Sequence, residues 1–330
     1  MKKHENISLF VAHIGCPHIC SFCNQNVITG QQKRVTPEDV DAAVETAIEH
    51  GFSGGQIAFF GGSFTAVPED YMVSLLEAAQ VYVENGTVSG IRISTRPDAI
   101  DPHILDILEE YGVESIELGA QSMSDRVLEM NHRGHTAEDV VKASELIRSR
   151  GFELGLQMMT GLYGDSFEGT LETADRIIAL KPATVRIYPA IVLEHTALAE
   201  LYRKGIYVPQ TLDEAVSLGA ALIKRFEGSG IQIIRMGLHS GGGVTEGYVA
   251  GPYHPAFREL CESELYLSRA ESLLSGKPEG KYVLKVAPSE ISKMTGQKRK
   301  NILKLKDKGY LCRVEPEENL APYEILVGVE

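Results

Sequence analysis

The chain has 330 residues, 43% of them apolar and 23% charged, with a formal net charge of -13. That length allows one large domain plus a small one with a sizeable core, and the acidic balance argues against a protein wrapped in nucleic acid, although a local basic patch fits within an acidic whole. No unbroken apolar run reaches membrane-spanning length, and Met1-Lys2-Lys3-His4-Glu5-Asn6 is followed by too short an apolar run for a signal peptide, so a cytoplasmic protein with no membrane contact is expected.

The first predicted strand, 8–14, runs into Gly15-Cys16-Pro17-His18-Ile19-Cys20-Ser21-Phe22-Cys23-Asn24, which carries three of the five cysteines. Gaps of three and two residues let one short loop present three sulfurs to one side of a compact inorganic core. An iron–sulfur cubane normally takes four cysteines, and Cys261 and Cys312 are far along the chain. Three thiolates would leave one iron open to an exogenous ligand, as in a chemical rather than a structural site. The residues also leave open a structural zinc on the same thiolates with His13 or His18, and a disulfide with a spare thiol. Zinc sites usually pair two short hooks, and no second hook is present. A disulfide is disfavoured where no signal peptide is seen.

Five more predicted strands follow at 57–60, 91–95, 115–120, 152–159 and 184–191. Helix-start chemistry lies between them in Thr36-Pro37-Glu38-Asp39, Asp101-Pro102 and Thr136-x-x-Asp139. Six strand–helix alternations imply parallel strands in an α/β fold. Six units in fewer than two hundred residues fit a partly open (β/α)6 TIM-type barrel, with a doubly wound sheet as the alternative. One face of several strands is polar at period two: Arg92, Ser94 and Arg96; Ser115, Glu117, Gly119 and Gln121; Glu153, Gly155 and Gln157; Arg186 and Tyr188. Since parallel sheets are covered on both faces, these residues point to an enclosed polar cavity whose charges need partners or a bound polar ligand. The second strand ends in Phe59-Phe60-Gly61-Gly62-Ser63-Phe64, where two glycines permit close backbone approach to a ligand and leave their N–H and C=O groups free.

The cysteine stretch resembles the Cys-x3-Cys-x2-Cys motif of the radical S-adenosylmethionine (SAM) superfamily, with Phe22 at the aromatic position. That resemblance implies a [4Fe-4S] cluster on Cys16, Cys20 and Cys23, chelated at its unique iron by SAM. It also implies reductive cleavage of SAM to methionine and a 5′-deoxyadenosyl radical, and a reductant such as flavodoxin or ferredoxin. Gly61-Gly62-Ser63 resembles the Gly-Gly-Glu motif for the SAM amino group, with Ser63 in place of the acid. Glu117-Leu118-Gly119-Ala120-Gln121-Ser122 is similar to the fourth-strand motif of the coproporphyrinogen dehydrogenase and Elongator branches. The resemblance places Gln121 on the SAM ribose and Arg133 on its carboxylate. Gln157 and Ser94 stand where relatives often carry acids. Ser94-Thr95-Arg96-Pro97-Asp98, Arg186-Ile187-Tyr188-Pro189 and Leu201-Tyr202-Arg203-Lys204-Gly205 look like the Elongator catalytic subunit, whose acetyltransferase domain is not expected within these residues.

Thr211-Leu212-Asp213-Glu214 caps a further helix, and 231–236 reads as one more strand. Gly237-Leu238-His239-Ser240-Gly241-Gly242-Gly243 is too glycine-rich for regular structure and reads as a mobile lid, a hinge or a linker. His239, His254, Cys261 and Cys312 match no compact metal hook. The expected division is a core over 1–236 and a C-terminal α+β domain over 237–330. A short helix at 289–294, a turn at Thr295-Gly296, a basic helix at 297–308 and a strand at 310–314 suggest a winged helix-turn-helix-like module. Lys298, Arg299, Lys300 and Lys304 would contact nucleic acid, tRNA being the partner the Elongator resemblance implies. A basic face is more often solvated surface, and no aromatic cluster for stacking RNA bases accompanies this one. Two functions follow: a radical SAM enzyme acting on a substrate such as a tRNA base, or a non-catalytic, metal-stabilised nucleic-acid-binding or regulatory protein.

Overall fold

The computed structural model describes residues 6–11, 20–24, 33–52, 54–238 and 242–329. Cys16, His13, His18 and His239 lie outside the described residues.

Seven parallel strands form one sheet in the order β1 (Asn6–Val11), β2 (Gln56–Gly61), β3 (Gly90–Thr95), β4 (Val113–Gln121), β5 (Glu153–Thr160), β6 (Thr184–Pro189) and β8 (Gln232–Met236). The segment expected as one more strand after the barrel thus joins the same sheet, extending the half-barrel to seven strands. β7 (Val192–Leu193) pairs separately with β9 (Tyr248–Ala250).

Helices α1 (Pro37–Glu49), α2 (Glu69–Glu84), α3 (Pro102–Glu110), α5 (Ala137–Ser149), α6 (Phe167–Ala179) and α8 (Leu212–Gly228) cover the outer face, while the short α4 (Asp125–Met130) and α7 (Ala197–Arg203) stand against the cysteine loop. Their starts follow from local chemistry. Thr36, Thr136 and Thr211 each form a reciprocal capping box with the acid three residues on, and Asp101 accepts from the Ile104 amide. Each such cap contributes about 1 kcal/mol. Apolar residues at alternate strand positions, such as Ile57, Ile93, Val185 and Ile187, are fully buried in the main core. The intervening polar positions turn into the barrel.

The β6–β8 ladder is irregular. Thr184 pairs with Gln232 and Val185 with Ile233, but Arg186 then pairs with Arg235, leaving Ile234 as an extra residue. Part of the glycine-rich stretch is regular after all, since 242–247 forms a short helix, α9, while 239–241 lie outside the described residues.

The C-terminal part is attached by α10 (Phe257–Leu274), which packs along α8. The contact needs Gly219, because a Cβ there would sit 2.4 Å from Cys261 Sγ. β10 (Gly280–Val286) is central in a three-stranded sheet, parallel to β11 (Tyr310–Pro316) and antiparallel to β12 (Leu326–Val329). Leu284, Val286, Met294 and Leu305 belong to the same apolar core as the barrel.

Between β10 and β11 stand α11 (Ile291–Thr295) and α12 (Lys300–Asp307). The expected helix from 297 is shorter because Lys298 (φ 51) and Arg299 (φ 63) are left-handed. Each costs on the order of 1 kcal/mol for a side chain, and buried Asn301 holds the turn in place. Its Nδ2 donates to the Ser263 carbonyl at 2.9 Å and to the Met294 carbonyl, at the end of α11, at 3.1 Å.

Candidate functional site

The described part of the cysteine loop is pinned by backbone. The Ser21 amide donates to the Asn131 carbonyl (3.1 Å), the Leu198 amide to the Ser21 carbonyl (2.7 Å), and the Cys23 amide to the Cys20 carbonyl (3.1 Å). Ser21 Oγ donates to Oδ1 of fully buried Asn131 (2.8 Å), and Asn131 Nδ2 donates to the Tyr163 carbonyl (2.8 Å). The loop is thus clamped between the end of α4 and the start of α7. Asn131 carries this clamp and sequence reasoning gave it no part, although it opens the run Asn131-His132-Arg133-Gly134-His135. Phe22 packs against two small apolar clusters, one that includes Val192, Leu198 and Tyr207 and one formed by Val127, Leu162 and Ala190. Cys20 is buried and Cys23 half-buried. Cys261 and Cys312 are buried elsewhere, and burial pushes both thiols up, Cys312 to about 11.

Arg133 joins this loop to the fourth strand. Nη1 donates to Cys20 Sγ at 3.2 Å and Nη2 to the Gly119 carbonyl at 2.7 Å, while buried Nε has no partner among the described residues. Gln121 ends β4 in the left-handed region (φ 63), and its buried Oε1 is likewise unpaired among the described residues. Gly119 makes room for both, since a Cβ would lie 2.9 Å from Gln121 Nε2 and 3.4 Å from Arg133 Nη2. Unsatisfied polar atoms in a buried site call for a ligand or water. Positive φ on a non-glycine is a strain of the kind found at such sites.

His135, 4% exposed, sets its Nε2 3.2 Å from the Ala120 carbonyl, and its buried Nδ1 has no partner among the described residues. Burial, and after it the Arg133 charge, hold its pKa down at about 4. A folded pKa below the unfolded value near 6.5 means that the unfolded chain takes up the proton first. Stability is therefore full above pH 6.5 and falls as the pH drops toward 4, by up to about 3 kcal/mol. His135→Gln is expected to flatten that part of the curve in urea unfolding at a series of pH values. An unchanged slope would show that His135 is not its source.

At the end of β2, Gly61 has φ 116, and a Cβ there would lie 2.9 Å from the Val11 carbonyl. The Gly62 amide, expected to be free, donates to that same carbonyl at 3.1 Å, because the β1–β2 ladder continues one step past the strands. Ser63 is buried. Its hydroxyl lies 2.8 Å from Thr95 Oγ1 and accepts from the Arg96 amide at 3.3 Å.

Deeper in the barrel the polar faces meet. Glu117, 1% exposed, accepts from Arg92 Nη1 (3.1 Å), from Arg186 Nε (2.6 Å) and Nη2 (2.9 Å), and from Gln157 Nε2 (3.2 Å). Arg92 also reaches Glu153 (2.8 Å) and Gln56 (2.8 Å). Gln157 Nε2 lies 3.3 Å from Ser94 Oγ, so these two are brought together and partly occupied by protein partners. The Arg186 guanidinium stands 4.9 Å over the Phe60 ring. Burial opposes its charge, but Glu117 outweighs that and holds its pKa above the ordinary value.

The basic residues of the C-terminal part are on a separate surface. Lys300 pairs with Asp213 of α8 (2.9 Å), and Lys304 and Lys308 pair with Glu264 (3.5 Å) and Glu271 (2.8 Å) of α10. Lys298 and Arg299 make no ion pair among the described residues and border an open groove of about 600 Å3.

An uncharacterized protein of Methanocaldococcus jannaschii is 35% identical over 215 residues, covering 61% of this chain and 65% of that protein. The tRNA uridine(34) acetyltransferase of the same organism is 30% identical over 183 residues, 49% of this chain and 34% of that enzyme. The chain therefore spans about two thirds of the first relative's length and one third of the second's. Among solved structures, Elongator protein 3 of Methanocaldococcus infernus lacking residues 1–46 superposes with a TM-score of 0.62 at 20% identity. That match covers 83% of this chain and 66% of the other, and it shows a shared fold. Residues 182–267 match the radical SAM C-terminal domain, and residues 11–177, half of the chain, match the model of the radical SAM superfamily, to which this chain belongs.

Proposed function

We propose that this protein is a radical SAM enzyme in which Cys16, Cys20 and Cys23 hold a [4Fe-4S] cluster and the mouth of the half-barrel holds SAM. The observation that carries this reading is Arg133, whose guanidinium bridges Cys20 Sγ and the end of β4, while its buried Nε and the buried Gln121 Oε1 have no partner among the described residues. A cationic fork beside a thiolate ligand suits an anionic cluster and the carboxylate of its cosubstrate. The orphaned amide oxygen suits a ribose hydroxyl.

When bound, the cluster supplies the electron that splits the SAM sulfonium. The chain's own groups do the rest. Arg133 orients the carboxylate, Gln121 the ribose, and Gly61-Gly62 the close backbone approach, with Ser63 in the acid's place contributing no carboxylate. Phe22 closes the loop against water, which protects a reactive species from side reactions. Ser94 and Gln157 line the interior behind them. The experiment is anaerobic reconstitution with iron and sulfide, addition of SAM and dithionite or a flavodoxin or ferredoxin donor, and detection of 5′-deoxyadenosine. Wild type is expected to form it and Cys20→Ala to form none. Zinc retained aerobically, with no 5′-deoxyadenosine from a loaded wild type, would overturn the assignment in favour of a structural metal.

The substrate we favour is a tRNA base, supported by the similarity to a tRNA uridine(34) acetyltransferase. The contact would be made by Lys298 and Arg299 more than by Lys300 and Lys304, whose charges are already answered by carboxylates. Neutralising Lys298 and Arg299 to Gln is expected to weaken tRNA binding and flatten its log–log salt slope by about two, each lost phosphate contact contributing roughly 0.9 or less. The Lys300 and Lys304 pair should change the slope by less than one such contact. Equal slopes for wild type and the first double variant, in filter-binding titrations, would remove this surface from the reading.

A further inference from the structure

Among the described residues, one arginine carried by the strands of the barrel sheet is not answered by a carboxylate. Arg92 and Arg186 are held by Glu117 and Glu153, but Arg235 on β8 makes no ion pair among the described residues. Nε of Arg235 donates to the Gly237 carbonyl at 3.3 Å, and its Nη groups make no hydrogen bond among the described residues. Arg235 is half-buried, so its charge is not fully solvated, and among the described residues no carboxylate compensates it.

The backbone places it there at a cost. An uninterrupted register would set Ile234 opposite Arg186 and turn Arg235 to the side of Val185 and Ile187, which are wholly buried in the apolar layer. The extra residue at Ile234 instead brings Arg235 opposite Arg186, on the inward face. Bulges re-aim a side chain in this way and are frequent beside active sites. Tyr188, two residues beyond Arg186 on the same face, keeps its proton because burial raises its pKa. Its hydroxyl is therefore a donor in the same corner as two guanidinium groups, above the wall formed by Phe60.

We propose that Arg235, with Tyr188 and Arg186, binds an oxyanion, carboxylate or phosphate, carried by the substrate of this enzyme. Fork-shaped guanidinium donors recognise both anions in bidentate fashion. β8 lies three strand spacings from β4, roughly 14 Å along the sheet at ordinary spacing, so Arg235 and Arg133 serve different anions. The site rests on the interior charge balance and the bulge, and stands whether or not the loop carries a cluster.

The test is calorimetric titration of the full chain with sodium phosphate and with sodium acetate at fixed ionic strength, in the presence and absence of saturating SAM. Wild type is expected to bind at least one anion saturably, and tighter phosphate or tighter acetate binding identifies which group the substrate carries. Arg235→Gln is expected to weaken that binding by about thirtyfold or more. Arg235→Lys, which keeps the charge and loses the fork, should fall between the two and guards against a folding artefact. Lys142→Gln, a remote exposed cation, should bind as wild type does. No saturable binding by wild type, binding unaltered in Arg235→Gln, or displacement of the anion by SAM would overturn the proposal, the last by giving Arg235 to the SAM carboxylate.

Discussion

Glu117→Ala is expected to lower the unfolding free energy by about 3–5 kcal/mol, the usual cost of removing one partner from a buried ion network. The carboxylate is 1% exposed and is the shared acceptor of Arg92 and Arg186. Without it, Arg92 keeps only Glu153 and Gln56, while Arg186 loses the acid that takes both its Nε and its Nη2. Two guanidinium groups would then repel each other in a region that water reaches poorly. Glu117→Gln keeps the shape and some hydrogen bonding, so its cost should be smaller. Replacing the set together, as Arg92→Met with Glu117→Leu and Arg186→Met, should cost less than Glu117→Ala, because desolvation of the charges disappears with the charges. Urea unfolding of the three variants checks the order, and Glu117→Ala within about 1 kcal/mol of wild type would show that water relieves the network.

Gly61→Ala should follow, at about 2 kcal/mol or more, because strain and collision act together. The φ of 116 disfavours any side chain, and the added Cβ would stand 2.9 Å from a backbone oxygen, that of Val11, which has no rotamer to adopt. Val11 ends β1, the strand that feeds the cysteine loop, so relief of the clash would displace the base of the proposed metal site. The variant is therefore expected to load less iron per chain as well as unfold at lower urea. Gly51 makes a matched control: its φ is 83, and an added methyl group would meet nothing within 4 Å, so Gly51→Ala should show the strain of about 1 kcal/mol and no change in iron. Equal iron loading in the two variants would disconnect Gly61 from the metal site.

Much of the architecture is written locally. The parallel order of the first six strands follows from their alternation with capped helices, and the inward polar face follows from period two at Arg92, Glu117, Gln157 and Arg186. Side-chain period does not report register, however, so the extra residue at Ile234 and the inward turn of Arg235 were not legible. Nor does a helical pattern announce what ends it. The run of lysines from 298 looks like continuous helix until buried Asn301 is seen tying Met294 to Ser263 and forcing Lys298 and Arg299 left-handed. The atoms of Gln121, Arg133 and His135 that lack partners among the described residues are likewise products of tertiary packing, since nothing in Asn131-His132-Arg133-Gly134-His135 states which nitrogens these will be.

Cys261 lies against Gly219 between α8 and α10, and Cys312 is buried on β11; both thiols hold their protons far above neutral pH. A protonated, enclosed thiol is a poor nucleophile and a poor metal ligand. During assembly of an iron–sulfur centre these two sulfurs would neither divert iron nor exchange with oxidised glutathione. If the amino-terminal loop carries the proposed cluster, the two incidental cysteines would stay silent and leave inorganic maturation to that loop.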